Sequence, residues 1–111
     1  LQMLEMQRHA MLMYTSCGWF FDEISGMETV QVLRYAARVI QLAQQRGNTL
    51  LEEHFIEKLE SAPSNLARWR NGAVLYRKAV QPQVFDLGRV AFHYAMTSLF
   101  KGFKKNAEIY C

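Results

Sequence analysis

A chain of 111 residues, half of them hydrophobic and 13% aromatic, has room for one domain with a modest core and is too apolar for a disordered tail. Its net charge of +3 is unevenly placed: residues 1–62 carry five Lys/Arg against eight Asp/Glu, and residues 63–111 carry eight against two. No apolar run approaches the ~20 residues of a spanning helix, so no membrane partner is expected. The two cysteines, Cys17 and Cys111, are too few for a disulfide framework and suit a reducing cytoplasm.

Helical periodicity accounts for most of the chain. It begins at Leu1 in what already reads as helix, Leu1 to Ala10, without an initiator Met or a capping residue, which predicts a piece of a longer protein. From Met27 to Gln45 the polar residues Glu28, Gln31, Arg34, Arg38, Gln41 and Gln45 recur every three or four positions and form one narrow stripe. The rest of that helix is apolar or Tyr35, which predicts burial against more than one neighbour. Ser25 with Glu28 reads as a capping box at its start, and Gly47-Asn48 as a left-handed stop at its end.

A third helix is expected over Thr49 to Ala62, capped by Thr49, with Leu50, Leu51, Phe55, Ile56 and Leu59 on its buried face. Pro63-Ser64-Asn65 breaks it, and Asn71-Gly72 gives a second turn before a short helix that ends ahead of Pro82. A last helix starts at Asp86, with Arg89, His93, Thr97 and Lys101 as its stripe and Leu87, Val90, Phe92, Tyr94, Met96, Leu99 and Phe100 around it. It too reads as a core helix. The fold class is therefore all-α, a bundle of about five helices spanning residues 1–111 as a single helical domain, with no internal repeat. Two helices apolar almost all round exceed what a small bundle can cover, which predicts a second copy of the chain or a further domain against them.

The segment from Thr15 to Gly26 stands apart. Trp19-Phe20-Phe21 followed by Asp22-Glu23, between Gly18 and Gly26, offers apolar rings and acidic oxygens in one stretch, the chemistry that grips a sugar. At most two of three consecutive rings can turn into one core, so at least one faces a sugar, a partner domain or a dimer mate. Asp22 and Glu23 do not read as a glycosidase acid/base pair, because adjacent residues point in different directions whereas such carboxyls come from separate elements. One of them is expected as a helix N-terminal charge and the other as a hydrogen-bond anchor. Cys17 and His9 lie about 12 Å apart if they share a helix, too far for a nucleophile and its base, and Cys17 fits better as a small buried residue beside Gly18. His9, His54 and His93 lack ligand spacing, so no metal is expected. No phosphate-cradling glycine pattern occurs, and no cofactor is expected. Arg68-Trp69-Arg70, Arg77-Lys78 and the tail Lys101 to Lys105 are basic with aromatics between, yet without a recognised motif they do not point to nucleic acid.

The run Arg8-His9-Ala10-Met11-Leu12-Met13-Tyr14-Thr15-Ser16-Cys17-Gly18-Trp19-Phe20-Phe21-Asp22-Glu23-Ile24-Ser25-Gly26-Met27-Glu28-Thr29-Val30-Gln31, continuing through Tyr35-Ala36-Ala37-Arg38, resembles the helical region that follows the catalytic barrel in glycoside hydrolase family 57-like bacterial proteins, a domain of unknown function of family 3536. Ala62 to Asn65, Tyr76 to Pro82 and His93 to Ala95 with Ser98-Leu99-Phe100 resemble it more loosely. The resemblance implies a parent that cleaves or transfers α-glucans by a retaining mechanism, with both catalytic carboxylates on a barrel outside this chain. It implies that Trp19 and Asp22 face the substrate, that Cys17, Gly18, Phe20 and Glu23 support the turn, and that no catalytic residue lies here. The expected partners are the parent's barrel and an α-glucan or oligosaccharide. The alternative is a helical interaction module that dimerises through its apolar faces.

Overall fold

The computed structural model describes residues 1–85 and 87–99. Five α-helices follow one another: α1 (Gln2–Leu12), α2 (Met27–Gln44), α3 (Leu51–Leu59), α4 (Gly72–Leu75) and α5 (Leu87–Ser98), with 3₁₀ turns at Ser16–Gly18 and Gln81–Gln83. No strand occurs among the described residues; the β-structure there is an isolated bridge between Pro63 and Asn71. The molecule is all-α, as its periodicity predicts. Asp86, Phe100 and the basic tail from Lys101 lie outside the described residues, and with them the expected cap of α5.

Helix α2 is the axis of the molecule. It buries Leu33, Ala36, Ala37, Ile40, Leu42 and Ala43, packing α1 along one side and α3 and the segment after α4 on another. That is the multi-sided burial its narrow polar stripe requires. Its end is a Schellman motif: Gly47 takes φ +95°, the Asn48 N–H donates to the Ala43 carbonyl at 3.1 Å and the Gly47 N–H to that of Gln44 at 3.0 Å. Its start differs from expectation. Gly26 is the N-cap residue and Ser25 makes no side-chain cap; the Ser25 N–H is held by the neighbouring Glu23 carboxylate. Thr49 does not cap α3 either; the helix opens from Leu50, also without a side-chain cap.

The core forms where α2, α3 and α4 meet. Leu33, Ala37, Ile56, Ala73, Leu75, Tyr76 and Val80 make one buried cluster, with Phe55, Leu59 and Trp69 against it. Asn71 caps α4, its Oδ1 accepting the Val74 N–H at 3.0 Å, and Gly72 permits close contact with α3: a Cβ there would stand 3.0 Å from the Leu59 carbonyl oxygen. The short helix expected before Pro82 is longer and mixed. After α4 the chain makes a π-turn over Tyr76–Val80, closed by the Gln81 N–H on the Tyr76 carbonyl. Tyr76, 1% exposed, sets its ring edge-on to Phe55 at 5.5 Å. Its hydroxyl donates to Glu52 Oε1 at 3.3 Å, and Glu52 also accepts from Gln44 and Gln81. Burial, then the Glu52 charge, raise the Tyr76 pKa.

The last helix departs from its expected role. None of its described side chains is buried, and Phe92, Tyr94, Met96 and Leu99 are exposed. Helix α1 also buries no residue fully, and Leu4 and Met11 stand in solvent. On α3, Leu50 is exposed and Ile56 alone is fully buried.

Candidate functional site

The segment after α1 is fastened at two points. Thr15 turns the chain out of the helix into extended backbone, and a 3₁₀ turn over Ser16–Gly18 follows. Gly18 then lies directly on α2: a Cβ at this position would sit 2.4 Å from Val32 Cγ2, so only glycine fits without displacement. The Thr29 hydroxyl donates to the Gly18 carbonyl at 3.0 Å. Gly18 is thus tied to its place by contact with a helix rather than by an unusual φ.

Beyond that point the three rings leave the surface. Trp19 is 72% exposed, Phe20 73% and Phe21 56%, with Phe20 and Phe21 edge-on at 5.3 Å. Sequence spacing required one ring to face outward, and all three do. Asp22 also exposes its side chain, while its backbone carbonyl accepts from Asn65 Nδ2 at 3.1 Å.

Glu23 supplies the second fastening. Its Oε1 accepts from the Ser64 hydroxyl at 2.6 Å and the Ser25 N–H at 2.9 Å, and its Oε2 from the Asn65 N–H at 2.7 Å. The Ser64 hydroxyl, with the N–H groups of Ser25 and Asn65, outweighs the opposing loss of hydration and holds the Glu23 carboxyl at about 2. Of the two carboxylates, Glu23 is thus the hydrogen-bond anchor. Three donors on one carboxylate commit Glu23 to holding the 62–72 loop.

The receiving loop is itself braced. The Gly72 N–H donates to the Ala62 carbonyl at 2.8 Å and the Ser64 N–H to the Arg70 carbonyl at 3.0 Å, closing residues 62–72 into a ring. Arg70 takes φ +58° at its neck. The Arg68 guanidinium lies 5.1 Å from the centroid of the Trp69 ring. Sequence reading saw Pro63-Ser64-Asn65 only as a break. Its small donors were the available sign that the loop grips something, but nothing local names a partner some forty residues away.

The remaining candidates do not assemble into chemistry. Cys17 is a free, exposed thiol, which corrects the expectation of a small buried residue: Ser16 and Cys17 ride the outer side of the 3₁₀ turn, and Gly18 makes the contact with α2. The His9 ring lies tilted against Tyr35, centroids 5.8 Å apart, and α1 ends at Leu12, so His9 and Cys17 share no helix. Among the described residues no group of three His, Cys, Asp or Glu is placed to hold a metal ion. No described helix is long and apolar enough to cross a membrane.

An all-α domain with exposed rings on a braced loop is the class of protein these features define. The chain belongs to a family catalogued as a domain of unknown function (DUF3536), whose model matches residues 1–111. No curated protein and no solved structure matches it.

Proposed function

We propose that this domain is a non-catalytic helical wall for a carbohydrate-processing site, presenting Trp19 and Asp22 to an α-glucan chain while Gly18, Phe20 and Glu23 hold the segment in shape. The observation that carries this reading is the pairing of three solvent-facing rings with two fastenings, Gly18 on α2 and Glu23 on the 62–72 loop. Rings exposed on a mobile loop lose entropy when they bind; rings on a braced loop lose less. The apolar face of a pyranose stacks on such a ring, and the adjacent Asp22 carboxylate accepts from its hydroxyls. The resemblance of Arg8–Arg38 to the post-barrel region of family 57-like glycoside hydrolases supports the assignment and supplies the rest of the proposal: a retaining barrel as partner, in a cytoplasmic parent, with both catalytic carboxylates outside this chain.

The test is a tryptophan-fluorescence titration of the full chain with maltoheptaose, beside Trp19→Ala and Asp22→Ala, with thermal melts of all three. Saturable binding lost in both variants at unchanged melting temperature supports the reading. Equal responses in wild type and variants, or no response in any, removes it. One observation favours a second reading. The apolar side chains that α1 and α5 leave in solvent, Leu4, Met11, Phe92 and Leu99 among them, suit an interaction module that pairs with another copy or another domain. Sedimentation across a concentration series separates the two: a monomer at every concentration argues against self-pairing.

A further inference from the structure

An open cleft of about 270 Å³ lies on the other side of α2, between that helix and the chain that leaves the π-turn. Its floor is apolar, made of Ala37, Val80 and Val84, and the Phe85 ring forms one wall. Arg34 and Arg38, one turn apart on α2, stand at its rim. The two guanidiniums are not equivalent. Arg38 is spent: its Nε and Nη2 both donate to Glu5 Oε1, forming an ion pair with α1, and its Nη1 donates to Gln41 Oε1 at 2.6 Å. Glu5 is accordingly held below the usual carboxylate range, chiefly by the Arg38 hydrogen bond. Gln41 passes the chain on, its amide donating to the Phe85 carbonyl at 2.6 Å. This relay from Glu5 through Arg38 and Gln41 ties the backbone at Phe85 to α2.

Arg34 lies outside the relay. It is exposed, and its hydrogen bond is a long one, 3.4 Å to Gln31 Oε1. The cleft thus offers apolar side chains, Phe85 among them on a tethered backbone, and one guanidinium whose charge no carboxylate among the described residues pairs. From this geometry we propose that the cleft is a binding site for a small organic monoanion, a carboxylate carried on a flat apolar body. Among the described residues the Arg34 charge is uncompensated, and a guanidinium fork matches the two oxygens of a carboxylate. A phosphate monoester brings a second charge for which the rim has no partner, since Arg38 is committed to Glu5. The apolar body lies on Val80 and Val84 beside Phe85. The site is separate from the Trp19 segment, and the proposal is independent of any role in sugar binding.

The experiment is a titration of the isotope-labelled full chain with benzoate, followed by amide chemical shifts, with benzamide and phenyl phosphate as comparison probes. The expected result is saturable shifts concentrated at residues 34–41 and 80–85, stronger for benzoate than for either comparison probe. Arg34→Gln, at a surface position that leaves the fold intact, should weaken benzoate binding about tenfold, the loss of one charge-assisted hydrogen-bonded contact, and leave benzamide unaffected. Benzoate binding unchanged in Arg34→Gln, benzamide binding as tightly as benzoate, or shifts confined to Trp19–Phe21 and α5 would each overturn the proposal. Tighter binding of phenyl phosphate would overturn the monoanion assignment.

Discussion

Tyr76 and Trp19 are two large aromatic residues given opposite uses by one chain. Around Tyr76 every neighbour closes in: Phe55 meets the ring edge, Leu75 and Val80 flank it in the same buried cluster, and Glu52 takes the hydroxyl. Around Trp19 the backbone is held by Gly18 on one side and Glu23 on the other, yet the residue stays 72% exposed. Rigidity and burial are therefore separate properties here. The core obtains its order from apolar packing, whereas the ring segment obtains it from one steric contact and a fan of hydrogen bonds, leaving its apolar surface unspent.

The sharpest way to break this comparison is at Tyr76. Tyr76→Ala opens a cavity in the core and should cost about 3–5 kcal/mol in a denaturant melt; a loss below about 1 kcal/mol would mean that the core does not rest on this ring. Gly18→Ala comes next. Its methyl must displace a β-branched Val32 side chain, and about 1–3 kcal/mol should be lost, with the Trp19 emission spectrum shifted as the segment lifts from α2. Trp19→Ala should by contrast change stability by no more than about 0.5 kcal/mol, since the residue is mostly exposed, and a larger loss would place Trp19 in the core.

A further test is electrostatic and separates the regions by pH. The Glu23 carboxyl lies at about 2 against its usual 4.5. Its folded value is the lower one, so its contribution to stability is complete above about 4.5 and is lost as pH falls from there toward about 2. Melts of wild type and Glu23→Gln should differ at neutral pH and converge across that window. A gap that persists at the acid end would show that Glu23 acts through shape rather than charge.

The same contrast explains what the sequence could disclose. Helix α2 was legible at both its faces and its end, because a narrow polar stripe and a glycine that must take a left-handed φ are local signals. That one of two adjacent carboxylates would be a hydrogen-bond anchor was legible, but the other is no helix N-terminal charge, since α2 starts after Gly26 with Glu28 in its first turn, and the partners of Glu23 were not legible, since Ser64 and Asn65 come from 41 and 42 residues further along. The Ser25 capping box failed because the N-cap position falls on Gly26 and the Ser25 N–H that Glu28 would have closed goes to Glu23 instead. Helix α5 failed for another reason: periodicity tells which faces need cover, and cannot tell whether the described part of the chain provides it. Cys17 was misplaced because its small size suited a close contact that Gly18 makes instead.

The Glu23 grip also has a history within each folding event. It joins residues some forty positions apart, so the chain must close a long loop before the bond returns anything. The Tyr76 cluster closes a loop of similar length, from Leu33 to Tyr76, but gains apolar burial when it does, so it is expected to assemble first and the ring segment to be tied down after the main barrier. Loosening the grip should therefore hasten unfolding while leaving the refolding rate nearly untouched, and in the interval before it forms, three uncovered rings swing on a slack tether, the moment at which this domain is most prone to stick to its neighbours.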